Sequence, residues 1–100
     1  MEKKTPHCKL SVIKALVEDD KVRATISAYD GASALGVETL EGMCSVVMAL
    51  ETTDFYKSMT THGDHRIWQD VYYGKTKQGD AVYLKLTVID DVLIVSFKEL

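Results

Sequence analysis

Tyr83 and Lys98 are the residues whose spacing places a proton-transfer group beside a cation. They belong to Ala81-Val-Tyr-Leu-Lys-Leu-Thr-Val-Ile-Asp-Asp-Val-Leu-Ile-Val-Ser-Phe-Lys98, two runs rich in β-branched residues around Asp90-Asp91. A two-residue turn between such runs signals a hairpin, and Asp tolerates the left-handed backbone of primed turns. With Ile89 opposite Val92, Leu84 faces Phe97, Leu86 faces Val95 and Val88 faces Leu93, an apolar set that belongs to a core. The other face pairs Tyr83 with Lys98, Lys85 with Ser96 and Thr87 with Ile94. Directly opposed strand residues hold their Cβ atoms roughly 4.5–5.5 Å apart. A phenol beside an ammonium is common on any solvated face. The chemical alternative is a phosphate-handling site, with Tyr as acid or base and Lys as counter-charge.

Other reactive side chains are fewer. His62 and His65 flank Gly63-Asp64 and could act as an acid–base pair or as half a metal site, but exposed polar residues are expected in a turn. His7 reads as a surface residue. Cys8 and Cys44 are far apart, form no CxxC and have no base placed near them, so they read as packing thiols. Neither HExxH nor a carboxylate cluster with ligand spacing occurs. Phe55 and Trp68 can serve as core anchors or as platforms for a stacked base.

One hundred residues suit one domain, 1–100, with a modest core. No apolar run reaches the roughly 18 residues that would suggest a membrane span, and the first residues lack a signal-peptide pattern. Two cysteines without an export signal point to free thiols in a reducing cytoplasm. The net charge of −3 argues against generic nucleic-acid binding. That excess lies in residues 1–54, with six Lys/Arg against nine Asp/Glu, whereas residues 55–100 hold six of each.

The elements that must position these residues can be read in order. Thr5-Pro6 reads as a cap and first-turn proline, opening a helix to Glu18 with Leu10, Ile13, Leu16 and Val17 on one face. Lys21–Ala28 alternates like a short edge strand, open to docking by another chain's strand. Ser27 or Asp30 would cap a short helix stopped by Gly36. Thr39 would cap a third helix bearing Leu40, Met43, Cys44, Val47, Met48 and Leu50. Strands follow at 54–61 and 66–73, joined by the His62–His65 turn, and the final hairpin comes after a polar loop. Helices followed by an antiparallel meander make an α+β order.

Several strings carry a further signal: Phe55-Tyr-Lys-Ser-Met-Thr-Thr61, Ile67-Trp-Gln-Asp-Val-Tyr72, Val82-Tyr-Leu-Lys85 and Asp91-Val-Leu-Ile-Val-Ser-Phe-Lys-Glu99, with Met1-Glu-Lys-Lys-Thr-Pro-His7 and Gly42-Met-Cys44. Together they resemble the MqsR (motility quorum-sensing regulator) toxin family across essentially the whole chain. The resemblance implies a RelE-like fold with N-terminal helices packed on a mainly antiparallel sheet. It also implies an mRNA interferase, the toxin of a type II toxin–antitoxin pair, cutting at short GC-centred sites in the cytoplasm without metal or cofactor. Carried over, the catalytic set falls on Lys57, Gln69, Tyr83 and Lys98, and Tyr56, Met59 and Lys85 join as substrate-binding residues. The implied partner is an MqsA-like antitoxin, zinc-containing and with a helix-turn-helix, so that DNA is bound only through the complex. Asp90, where the family's best-known member carries a His, the loop Gly74–Gly79 and Asp19-Asp20 depart from the family pattern.

One conflict arises. With a plain four-residue loop at His62–His65, Lys57 faces Asp70, and Gln69 falls on the opposite side of the sheet from Lys57. A common face requires a bulge or an odd loop length. The competing functional reading is a non-catalytic module that binds a partner strand at Lys21–Ala28.

Overall fold

β-Strand 5 (Ala81–Ile89) and β6 (Asp91–Glu99) form the expected C-terminal hairpin. The computed structural model describes residues 1–100. The hairpin belongs to a six-stranded sheet in the order β1-β3-β4-β5-β6-β2. Its other members are β1 (Glu2–Lys3), β2 (Val22–Ala24), β3 (Phe55–Thr60) and β4 (Trp68–Lys75). All neighbours are antiparallel except β2, which runs parallel to β6. Helices α1 (Leu10–Glu18), α2 (Ile26–Ala34) and α3 (Leu40–Met48) complete an α+β fold.

The helices cover one face of the sheet. Ile13, Ala28, Ala32, Met43 and Val47 meet Tyr72, Leu84, Leu86, Val92, Ile94 and Phe97 in one core. α2 comes unusually close: a Cβ on Gly31 would lie 1.9 Å from the carbonyl oxygen of Phe97. Only glycine permits that approach, so it fixes α2 on the strand that carries Lys98. Thr39 caps α3 as expected, accepting from the Gly42 N–H, and Gly36 ends α2's turn at φ +78°.

The hairpin register holds at the open end and fails at the tip. Tyr83 pairs with Lys98, Leu84 with Phe97 and Lys85 with Ser96, as expected. Beyond them Leu86 pairs with Ile94 rather than Val95, Thr87 with Leu93, Val88 with Val92 and Ile89 with Asp91. The turn is one residue tighter than Asp90-Asp91: only Asp90 leaves the strands, at φ 68°. A bulge at Val95 absorbs the difference. Ile94 is consequently core and Val95 is not.

Three expectations fail near the N-terminus. The helix does not start at Pro6. Residues 6–9 stay outside it because the His7 and Cys8 N–H groups donate to Asp70 Oδ1 and Oδ2 at 2.9 and 3.0 Å. That carboxylate also accepts from Ser58 Oγ at 2.5 Å, so a buried sheet residue holds the incoming chain. The edge strand covers Val22–Ala24 and not Lys21–Ala28: Thr25, rather than Ser27 or Asp30, caps α2 by accepting from the Ala28 N–H. Ile26, read as a strand residue, is a helix residue left 81% exposed. Glu2–Lys3 forms a strand against β3 that the sequence reading did not find.

Candidate active site

The sheet face away from the helices carries Lys57, Met59, Gln69, Tyr83, Lys85 and Lys98. The β3–β4 connection resolves the conflict over Lys57. Met59 pairs with Gln69 and Lys57 with Val71, not with Asp70, so the loop has the odd length that a common face requires. Lys57, Met59 and Gln69 therefore share one side. A second irregularity falls between Phe55 and Lys57, at Tyr56. Phe55 turns to the core, edge-on to Tyr72 at 5.5 Å, while Tyr56 stacks on Tyr73.

The register lays the face out in rows across the strands. Glu2, Met59 and Gln69 form the first. Lys57, Val71, Lys85 and Ser96 form the second. Tyr73, Tyr83 and Lys98 form the third, with Tyr56 beside Tyr73. The rows thus run from neutral and acidic groups, through cations, to phenols. Val71 is fully buried although it faces away from the helices, because the long side chains around it form a roof.

Cations approach the rings from several strands. Lys98 Nζ lies 5.1 Å and Lys85 Nζ 5.9 Å from the Tyr83 ring centre. Lys4 Nζ and Lys57 Nζ lie 4.8 and 5.5 Å from that of Tyr56. Such contacts hold an ammonium in place without neutralising it.

The three lysines of the face differ electrically. Lys57 bonds Glu2 Oε2 at 2.6 Å, and this partner raises its pKa and lowers that of Glu2. Lys85 has no carboxylate partner. Its half-buried position, reinforced by Lys98 and Lys57, pushes its pKa down. Lys98 is exposed. Of these groups, Lys85 is the one whose surroundings favour release of a proton.

The rival residues lie elsewhere. His62 and His65 are exposed in the β3–β4 loop, at the other end of those strands from Tyr73. The loop is built by Asp64, which accepts from the Arg66 N–H at 2.9 Å and Arg66 Nε at 3.0 Å. Trp68 lies toward the N-terminal segment, stacked on His7 at 5.6 Å with Lys3 Nζ 4.2 Å from its ring centre. Cys8 and Cys44 are half-buried free thiols whose pKa values burial pushes up.

Sequence reasoning missed Tyr73, Glu2 and Lys4. Tyr73 could have been found by extending the Tyr83–Lys98 row one strand further. Glu2 and Lys4 depend on a two-residue strand with no apolar pattern to betray it.

Comparison with known proteins gives the chain its family. Residues 5–99 match the family model described as "Motility quorum-sensing regulator, toxin of MqsA". The mRNA interferase toxin MqsR of Escherichia coli (strain K12) is 58% identical over 99 residues, which cover 99% of each chain. By both measures, and over nearly its whole length, this chain belongs to the motility quorum-sensing regulator toxin family.

Proposed function

We propose that this chain is an mRNA-cleaving toxin of a type II toxin–antitoxin pair, and that it cuts single-stranded RNA on the open face of its sheet. The observation that carries the reading is the gathering of Lys57, Gln69, Tyr83 and Lys98 on that one face, in a chain whose relative is named an mRNA interferase toxin.

RNA brings its own nucleophile. The 2′-oxygen attacks the adjacent phosphorus, the bond to the 5′-oxygen breaks, and the products are a 2′,3′-cyclic phosphate and a 5′-hydroxyl. The reaction needs a base for the 2′-proton, positive charge for the pentacovalent phosphate, and an acid for the leaving oxygen. Lys57 and Lys98 supply charge from opposite sides of Tyr83, which takes a proton-transfer role. Gln69 presents both a donor and an acceptor, suited to orienting phosphate or base. Tyr56, Met59 and Lys85 hold the flanking nucleotides, and the cut falls at GC-centred sites. The cognate antitoxin is an MqsA-like, zinc-containing protein with a helix-turn-helix, through which the pair reaches DNA. The substrate places the reaction in the cytoplasm.

Incubation of the chain with a short RNA bearing GC-centred sites, in EDTA, tests the assignment. The wild type should cut at defined positions and leave cyclic-phosphate ends, and a Tyr83→Phe/Lys98→Ala variant should not. Equal cutting by both would move the chemistry off the hairpin, toward His62 and His65. The competing module has lost most of its platform, since β2 offers a three-residue edge with Arg23 Nε held by Asp91 at 2.8 Å.

A further inference from the structure

Tyr73 lies just past the string Ile67–Tyr72 that carries the family resemblance, yet it is the middle ring of the site. Tyr56 stacks on it nearly parallel, with ring centres 4.7 Å apart at 20°. Tyr83 lies on its other side, at 6.3 Å and tilted by 43°. The two gaps differ in kind. The first is closed, as two rings in contact must be. The second is a wedge, and a flat ring sandwiched between two others needs roughly 7 Å, two van der Waals contacts of about 3.5 Å each. At 6.3 Å and 43° the two rings stand short of that spacing, so a base enters as they turn apart toward parallel. Lys98 reaches Tyr83 from β6, the strand on the side away from Tyr73, so it does not occupy the wedge. Tyr73 is 36% exposed and Tyr56 41%, so the stack is open to solvent.

We propose that Tyr73 is a substrate-positioning residue that stacks the base of the nucleotide adjoining the scissile phosphate, in the wedge it forms with Tyr83 and with Tyr56 as backing. This rests on the RNA-cleaving reading above and deepens it. Single-stranded RNA is gripped by stacking splayed bases on aromatic rings while cations follow the phosphates. Here Lys57 and Lys85 occupy the row next to the rings, and Lys98 ends the rings' own row. Holding the neighbouring base fixes the angle at which the phosphate meets Tyr83 and the lysines, so Tyr73 acts on alignment and takes no part in proton transfer.

The test measures binding and cleavage of a short GC-site RNA by the wild type, Tyr73→Phe and Tyr73→Ala. Binding uses a 2′-deoxy substitution at the cleaved nucleotide. A parallel series of RNAs is abasic at one position on either side of the cut. Stacking on aromatic side chains predicts that Tyr73→Ala weakens binding on the order of 10-fold or more, while Tyr73→Phe stays within about 2-fold. The alanine penalty should vanish on one of the two abasic RNAs, because no base is left to lose. A penalty of the same size on both abasic RNAs would make Tyr73 a packing residue and overturn the proposal, as would an absent penalty on intact RNA. A wild type that neither binds nor cuts intact RNA would remove the parent reading as well, whereas normal cutting with an indifferent Tyr73→Ala removes this one alone. A purely structural role would lower cleavage of intact and abasic RNA alike.

Discussion

Glu2 Oε2 holds Lys57 Nζ at 2.6 Å, and in the proposed reaction it would compete with a phosphate oxygen for that ammonium. It therefore has two opposed effects. It keeps Lys57 protonated to higher pH, and it would repel an RNA phosphate approaching Lys57. Glu2→Gln separates them. At neutral pH and low salt the variant should bind RNA several-fold more tightly, because Lys57 stays charged and loses its competitor. The alkaline limb of activity should move to lower pH, since Lys57 loses the partner that raised its pKa. Binding titrations at two salt concentrations and a pH–rate profile check both. Unchanged binding together with an unmoved limb would place Lys57 away from the phosphate. At this scale the sequence was informative wherever a residue's neighbours are its strand partners: Tyr83 and Lys98 were paired by counting. Glu2 was not, because nothing local links it to Lys57, 55 positions away.

Among the elements, the N-terminal segment depends on one carboxylate. Asp70 is buried and accepts the His7 and Cys8 N–H groups and the Ser58 hydroxyl. Asp70→Asn turns one accepting oxygen into a donor that faces another donor. This should cost about 2–3 kcal/mol, the scale of a charged hydrogen bond lost with an orphaned partner. Hydrogen exchange should show the loss first in residues 1–9, ahead of the helical layer. Protection there equal to wild type would mean that the β1–β3 pairing suffices. This anchor explains why Thr5-Pro6, a good local cap signal, does not start a helix: contacts from a distant strand outweigh a local preference. The end of β2 was misread for the opposite reason. The alternation through Ile26 was genuine, but Thr25 already caps a helix, and an isolated exposed isoleucine mimics the next strand position. α3 was legible in its cap and most of its stripe, although it ends at Met48, short of Leu50, and also buries Val46.

For the whole molecule, net charge misleads. The chain carries −3, yet the open face gathers Lys57, Lys85 and Lys98 while the whole acidic excess lies in residues 1–54. RNA affinity should therefore fall with salt as though about three phosphates were neutralised, a log–log slope near about −2 for a single strand. Titrations between low and physiological salt measure it; a slope near zero would place the RNA elsewhere. Composition could not show this, because segregation of charge onto one face depends on the pleat and on two register irregularities. The α+β order and the edge strand were legible, since the helices precede the meander and β2 alternates, but the parallel pairing of β2 and the N-terminal strand were not. The bulge has one more consequence. Ladder pairs on both sides of Val95 are complete, so β6 is one residue longer than its partner requires. The surplus residue serves as a hook: the Val95 carbonyl accepts the Thr25 hydroxyl at 2.8 Å, at the start of α2. Loss of a single residue within a strand ordinarily scrambles its reading frame, turning core to solvent. Here the frame is already offset, so a chain lacking Val95 would keep Tyr83 opposite Lys98 and Ile94 in the core, and would lose the tie that moors the helix.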